Sequence, residues 1–281
     1  MERRQHYQNG KPTLFLIPTP IGNLGDMTFR AIDTIKAVDV LYAEDTRVSQ
    51  VLLRHFDIKK TLRSYHEHNQ ATETAVLVGF LREGKNVGLM TDAGMPIISD
   101  PGYEAAVAAS TEGYNVVALP GANAALTGLS MSGIAPHPFL FYGFPDHKQG
   151  KRLKELTALA DHAETIVFYE APHRMKETLA DLYRAFGDRK AAVLREITKK
   201  FEEAIYGTLA ELALLDDWIG ENVIVVAGAS EHDAPAPVIR VRDSVEALIK
   251  DGLSRSDAMK QVAARMGVTK SVVYKTYLEQ E

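Results

Sequence analysis

The sequence lacks cysteine entirely and contains no long hydrophobic run. Without cysteine, the chain has no disulfide bond, no thiolate metal site and no cysteine nucleophile. The apolar stretch Leu14–Ile17 is far too short for the core of a signal peptide or for a membrane span. We therefore expect a cytoplasmic protein with no membrane partner.

Positive charge is also in deficit, because the sequence has 32 Lys and Arg residues and 37 Asp and Glu residues, which gives a net charge of −5. This balance weakly disfavours a nucleic-acid partner, although phosphate contacts need only a local basic face. Residues 240–281 differ from the rest, since they hold 8 basic and 6 acidic side chains. The apolar content of 46% is typical of a globular protein with a sizeable core.

Residues 12–137 alternate between short apolar runs and helical patterns. Thr13–Ile17, Val40–Ala43, Val87–Met90 and Asn115–Leu119 are typical of buried strands. The predicted helices between and after them cover residues 28–37, 49–56, 72–81, 103–110 and 122–131. Such alternation predicts an α/β lobe with a mostly parallel sheet, preceded by a flexible tail at residues 1–11.

A proline cluster around Pro136 and Pro138 predicts a boundary, after which residues 138–230 form a second α/β lobe. Residues 231–239 have the composition of a linker. Residues 240–281 are expected to form short helices, with Ser256 and Thr269 as N-caps, and the last two helices resemble a helix-turn-helix pair. This tail either contacts nucleic acid or serves as a structural appendix or dimer brace.

Two loops rich in proline and glycine follow predicted strands, at residues 91–102 and 120–125. Ligands of open α/β sheets collect at the carboxyl ends of strands, and glycine lets the backbone approach them. An earlier loop, Pro18–Asp26, fits neither GxGxxG nor a P-loop, so a phosphate cradle is disfavoured. These loops predict a site for a neutral or cationic small molecule, although the earlier one could be an ordinary tight turn.

Acidic residues flank the central loop. Asp92 is interpreted as a ligand-binding residue, whereas Asp100 is interpreted first as a helix cap or turn residue. His66 and His68 are two residues apart, which does not suit two ligands on one helical face, so we expect no metal site. His66 is a candidate general base.

Seven motifs in order resemble the tetrapyrrole-methylase-like superfamily of S-adenosylmethionine (SAM) enzymes. Within it they are similar to the branch that methylates the 2′-oxygen of a cytidine in 16S ribosomal RNA. The motifs are PTPIGNL at 18–24, AEDTR at 43–47, SYHEHN at 64–69, TDAGMP through DPG at 91–102, LPGANA at 119–124, FYEAPHR at 168–174 and REITK at 195–199.

The resemblance implies a two-lobed tetrapyrrole-methylase-like α/β fold with a small C-terminal helical domain. It also implies SAM as the cofactor in the cleft between the lobes, a homodimer, and 16S rRNA or the small ribosomal subunit as the partner. The residues expected to bind the cofactor are Pro20, Asp92, Ala93, Gly94, Ile97, Ser99, Pro120, Gly121, Ala122, Phe141, Tyr142 and Met175.

A ribose hydroxyl is a poor nucleophile, so the reaction needs positioning and can gain from a base. The candidate catalytic residues are Lys199, if burial and Arg195 lower its pKa, then Glu170 and His66. The residues expected to contact RNA are Arg47, Arg174, Arg195, Lys151 and Arg152. The alternative is that these charged side chains only form salt bridges with one another at the solvent-exposed surface.

Three rival functions remain open. A methyltransferase of a tetrapyrrole or of a modified protein histidine would use the same cofactor loops. A non-catalytic RNA-binding assembly protein would use the cleft and the tail without turnover. A nucleotide-binding oxidoreductase is disfavoured by the missing GxGxxG motif.

Overall fold

The computed structural model describes residues 3, 9–230, 241–250, 252–265, 270, 273, 274 and 277. It divides into a unit at residues 1–229 and a unit at residues 230–281. The predicted linker 231–239, most of the tail 1–11 and the predicted cap Thr269 lie outside the described residues.

The first sheet is entirely parallel, in the strand order β3-β2-β4-β1-β5. Its strands are β1 (Thr13–Ile17), β2 (Val40–Ala43), β3 (Leu62–Ser64), β4 (Val87–Met90) and β5 (Asn115–Ala118). Its helices are α1 (Phe29–Ala37), α2 (Thr46–His55), α3 (Gln70–Arg82), α4 (Tyr103–Thr111) and α5 (Ala124–Met131). The predicted parallel α/β lobe is therefore confirmed in its strand–helix alternation.

The central strands β1 and β4 are continuously apolar because helices cover both faces of the sheet. Gly88 in β4 leaves room for its neighbours, since a Cβ there would lie 2.9 Å from Ile17 Cδ1 and from Leu41 Cδ1. The edge strand β3 was not predicted, because its three residues, Leu62–Ser64, carry no apolar run.

The second sheet is mixed, in the order β6-β7-β10-β8-β9. Its strands are β6 (Phe139–Gly143), β7 (Thr165–Glu170), β8 (Lys190–Arg195), β9 (Glu203–Thr208) and β10 (Asn222–Val226). Its helices are α6 (Gln149–Ala158), α7 (Met175–Phe186) and α8 (Leu209–Leu212). Only β6 and β7 pair in parallel, and the other neighbours are antiparallel. The unpredicted β9 is an edge strand with exposed residues and an internal glycine.

Helix α5 packs against the second sheet and so joins the two halves of this unit. Its Ala125 and Leu129 share a core cluster with Val167, Val223 and Val225. Gly128 allows close approach, since a Cβ there would lie 3.0 Å from Val223 Cγ1. The carboxyl ends of the first sheet thereby face the ends of β7 and β10.

The C-terminal unit contains α9 (Val241–Lys250) and α10 (Arg255–Arg265). Its core includes Val245, Met259 and Val262. Ser254, not the predicted Ser256, caps α10, because its Oγ accepts a hydrogen bond from the Asp257 N–H at 3.2 Å. Among the helices that the described residues form, none is long and apolar enough to span a bilayer.

Candidate active site

Backbone pairing holds two of the predicted loops together at the carboxyl edge of the first sheet. Thr19 and Gly94 exchange two backbone hydrogen bonds of 2.9 and 3.1 Å, and the Thr19 hydroxyl donates to the Thr91 carbonyl. Gly94 has φ +83°, a conformation that glycine adopts at no steric cost. The loops after β1 and β4 therefore form one rigid surface.

The loop after β5 joins this surface through Gly121. A Cβ at Gly121 would lie 2.6 Å from Pro18 Cβ, closer than real Cβ atoms approach. The glycine is thus required by the contact between two loops.

A cavity of about 350 Å³ opens between these loops and the second sheet. The first half contributes Ile21, residues 93–95 and 98–100, and residues 123–124. The second half contributes Phe144, Ile197, residues 169–172 and residues 220–223. The ends of β7 and β10 lie side by side there because Glu170 pairs with Asn222 in an antiparallel ladder. This volume lies in the range of small-molecule sites.

The cavity contains only some of the residues predicted to bind the cofactor. Ala93, Gly94 and Ser99 line it. The predicted residues absent from the lining are Pro20, Asp92, Ile97, Pro120, Gly121, Ala122, Phe141, Tyr142 and Met175. Sequence reasoning missed the contribution of residues 220–223, which carry no motif and reach the cavity only through strand pairing.

Two of these predicted residues face the opposite side of the second sheet. Tyr142 stacks near Phe168, with ring centroids 5.5 Å apart, and Met175 is completely buried in the same core cluster. Burial, followed by a hydrogen bond with Glu155, raises the pKa of Tyr142 to about 12. Their neighbour Phe141 points the other way and contacts Tyr169. The side chains of Tyr142 and Met175 therefore pack in the core, because alternate residues of β6 face opposite sides and Met175 points into the core. Cofactor contacts by these two residues stay predictions.

Strained backbone occurs on both sides of the cavity. Ile97 and Ser99 have φ of +76° and +66°, and Glu196 and Thr198 have φ of +50° and +68°. A positive φ is costly for β-branched residues such as Ile and Thr. A hydrogen bond of 2.5 Å from Thr198 Oγ1 to Asp26 Oδ2 ties the loop after β8 to the loop after β1.

Three carboxylates of the first half, Glu44, Asp92 and Asp100, have raised pKa values. Burial, followed by repulsion from Glu44 and Asp92, raises the pKa of Asp100 to about 7. Burial is also the main cause of the raised pKa values of Glu44 and Asp92. Asp100 does not cap α4, whose N-cap is Gly102, so the interpretation of Asp100 as a helix cap is wrong, and its interpretation as a turn residue stays a prediction.

Glu170, a candidate base, is held by three donors. Its side chain is fully buried and accepts hydrogen bonds from the Ala171 N–H at 2.8 Å, Arg174 Nε at 2.7 Å and Thr178 Oγ1 at 2.6 Å. These contacts fix both carboxylate oxygens, which indicates a structural role at the cavity wall. They also occupy the Arg174 guanidinium, which was predicted to contact RNA.

Lys199 lies across Gly22 with its Nζ between two carboxylates, 2.8 Å from Glu196 Oε1 and 3.0 Å from Glu221 Oε2. Burial acts to lower the pKa of Lys199, but the two glutamates outweigh it and leave the pKa raised. The condition under which Lys199 was a candidate base, a lowered pKa, is therefore not met, because Glu196 and Glu221 raise it. No sequence pattern indicated Glu221 as a partner. Lys199 is a charged ammonium beside the cavity.

His66 follows β3 and lies near Glu44, where its positive form lowers the pKa of that carboxyl. Its ring Nδ1 is buried and has no hydrogen-bond partner among the described residues. His66 does not line the cavity. In the part of the chain that the structure describes, no group of three His, Cys, Asp or Glu residues is arranged to hold a metal ion.

The predicted RNA contacts differ in accessibility. Arg47 is 89% exposed beside Asp45, and Lys151 is 68% exposed. Arg195 is largely buried and pairs with Glu203. Arg152 is completely buried between α6 and α7, where its Nε donates to Asp181 Oδ2 at 2.9 Å. The predicted contact between Arg152 and RNA is wrong, because its guanidinium faces the core.

The family model of tetrapyrrole (corrin/porphyrin) methylases matches residues 13–213 of this chain. Full-length relatives named ribosomal RNA small subunit methyltransferase I are similar as well. The Bacillus subtilis protein is 46% identical and is covered, like this chain, over 99% of its length. The Synechocystis protein is 41% identical, with 95% of this chain and 98% of that protein covered.

Solved structures share the fold at low sequence identity. Cobalt precorrin-4 methyltransferase superposes with a TM-score of 0.58 at 19% identity, over 76% of this chain and 94% of that chain. Diphthine synthase gives a TM-score of 0.58 at 13% identity, over 77% and 90%. At this identity the likeness is one of fold.

Proposed function

Because the chain belongs to the tetrapyrrole (corrin/porphyrin) methylase family, we propose that it is a SAM-dependent methyltransferase that acts on the 2′-oxygen of a cytidine in small-subunit ribosomal RNA. Relatives of 41–46% identity over nearly the whole chain, all named ribosomal RNA small subunit methyltransferase I, support the rRNA substrate. The observation that carries the proposal is the cavity between the two sheets.

The residues of the cavity fit SAM. Glycine and alanine at 93–94 expose backbone, Tyr169 provides an aromatic wall, and Asp100 offers an uncompensated carboxyl group to a cation. The absence of a phosphate cradle fits a nucleoside without phosphate. When bound, SAM supplies an electrophilic methyl group on a positively charged sulfur.

The chain's own residues support catalysis mainly by positioning. Glu170 is held by three donors, and Lys199 is kept protonated by Glu196 and Glu221, so neither is a free base in this arrangement. We propose that Glu170 shapes the wall and that the Lys199 ammonium orients the RNA by pairing with phosphate or ribose oxygens. Placing the hydroxyl about 3–3.5 Å from the reacting carbon is the main requirement.

Exposed cations of the larger unit are proposed to bind the RNA backbone. Arg47 and Lys151 are accessible, and arginine and lysine commonly contact phosphate. In the C-terminal unit, taken by itself, Lys270 and Tyr274 are also exposed. We also propose that the protein acts as a homodimer in the cytoplasm, which light scattering and cell fractionation would test.

The test is methyl transfer from labelled SAM to free 16S rRNA and to assembled small subunits, with nucleoside analysis of the product. We expect label in 2′-O-methylcytidine and the loss of one such methyl group from rRNA of cells lacking the gene. An unchanged rRNA map together with methylation of a tetrapyrrole would favour the rival function. SAM binding without any transfer would favour an assembly protein.

A further inference from the structure

Asp100 is a carboxylate that the fold does not explain. It lines the cavity after β4, and no described residue donates a hydrogen bond to it or forms an ion pair with it. The helix that begins at Tyr103 is capped by Gly102 without any side-chain bond. A half-buried acidic group with no compensating partner is costly unless a ligand provides one.

The charged groups around Asp100 increase this cost. Glu44 at the end of β2 and Asp92 after β4 both repel its negative form, and they raise its pKa after burial does. From the second sheet, Asp100 faces the Tyr169 hydroxyl, whose pKa it raises. Of the surrounding cations, Arg47 is bound to Asp45, and His66 faces Glu44.

The other carboxylates of the lining already have cations. Glu170 is paired with Arg174, and Glu221 with Lys199. The negative charge available to a ligand is therefore concentrated on the first-sheet side of the cavity, around Asp100.

We propose that Asp100 is the counter-ion by which this cavity distinguishes the methyl donor SAM, whose sulfur is positively charged, from the product S-adenosylhomocysteine, whose sulfur is neutral. This inference rests on the proposed function. During transfer the C–S bond breaks with its electron pair on sulfur, the O–CH₃ bond forms, and the hydroxyl proton passes to solvent water. The sulfur thus loses its positive charge, and Asp100 loses the attraction that retained the ligand.

The discrimination is measured by calorimetric titration of SAM and S-adenosylhomocysteine at pH 8. We expect Asp100→Asn to lower the ratio of the two affinities by about tenfold, which corresponds to one pKa unit of differential interaction. Asp100→Glu, which keeps the charge, should retain most of the preference. Glu104→Gln is a charge-matched control, because Glu104 is exposed on α4 and outside the lining.

The pH dependence adds a readout that a structural role would not affect. Asp100 has a pKa of about 7, so it is largely neutral at pH 6 and ionised at pH 8. The preference for SAM over the product should therefore rise by about tenfold more across this range in the wild type than in Asp100→Asn. The donor's own amino group titrates equally with both proteins, so the difference between them isolates Asp100.

The outcomes separate this inference from the proposed function. If the wild type binds neither nucleoside, the proposed function fails. If both bind and Asp100→Asn keeps the wild-type ratio and pH profile, only the role of Asp100 is overturned. Should Asp100→Asn not fold, a flat pH profile of the wild-type ratio would overturn that role by itself.

Discussion

The two sheets of the larger unit meet at one cavity but present charge to it in opposite ways. Loops of the parallel sheet carry Glu44, Asp92 and Asp100, and burial, together with repulsion from neighbouring carboxylates, raises all three pKa values. The mixed sheet surrounds its acidic groups with donors, as in Glu170 with Arg174 and Thr178.

This difference indicates a division of labour. Buried, paired charges fix the side chains that line the cavity. They attract a charged ligand only weakly, because each charge is already compensated. The uncompensated Asp100 carboxylate destabilises the empty cavity slightly and attracts a cation. The mixed sheet therefore acts as the framework of the cavity, and the parallel sheet acts as the recognition side, which attracts the cationic ligand.

The framework role predicts the largest effect for Arg152→Ala. Removing this guanidinium leaves Asp181 buried without its main partner, which should cost about 3–5 kcal/mol of unfolding free energy. Denaturant unfolding measures the loss, and Lys151→Ala is the control, since Lys151 is exposed and adjacent. Equal stability of the two variants would contradict the burial of Arg152.

Glu170→Gln tests whether Glu170 holds the wall or transfers a proton. Loss of the charge weakens the bonds to Arg174 and Thr178, and we expect a cost of about 1.5–3 kcal/mol in stability. Thermal unfolding and single-turnover methyl transfer should be measured together. A variant with wild-type stability but no transfer would instead identify Glu170 as the base.

Gly121→Val tests the contact between loops of the recognition side. A side chain there would collide with Pro18, so we expect a loss of about 1–3 kcal/mol together with weaker SAM binding. Gly79→Ala in α3 is the matched control, because nothing lies within 4 Å of its Cβ and alanine favours helix. If Gly121→Val binds SAM normally, the loop contact does not shape the site.

Arg47→Ala tests the outer edge of the recognition side. We expect RNA affinity to fall by about 3- to 10-fold, and the slope of log affinity against log salt to decrease by about one phosphate contact. Filter binding at several salt concentrations measures both quantities, with SAM affinity as the control that should not change. An unchanged salt slope would place the RNA elsewhere.

Asp100→Asn should produce the smallest effect on stability. The pKa of Asp100 in the folded protein, about 7, lies above its unfolded value, so its ionisation costs stability as the pH rises from about 4 to 7. The variant should therefore gain at most about 1 kcal/mol over the wild type at pH 8, since solvent screens a half-buried group. Melting temperatures of both proteins should converge at pH 4, and a constant difference would contradict the raised pKa.

Much of the site was predictable where its residues are neighbours in the sequence. Ala93, Gly94 and Ser99 follow an apolar strand, and the edge of a parallel sheet is where such loops meet a ligand. Residues 220–223 were missed because they enter the cavity only through pairing of β10 with β7. The direction of the Tyr142 side chain could not be predicted, because one register position decides which face of the sheet a side chain occupies.

The sequence by itself determined the alternating strands and helices, the loops at strand ends and the family motifs, because these depend on local periodicity and on residues close in the chain. Tertiary structure alone decided which charges are compensated: Arg152 pairs with Asp181 and Lys199 with Glu221, whereas Asp100 lies near Glu44 and Asp92 without a cation among the described residues. Such partners are far apart in sequence, and the free energy of a charge depends on the burial and neighbours that folding provides.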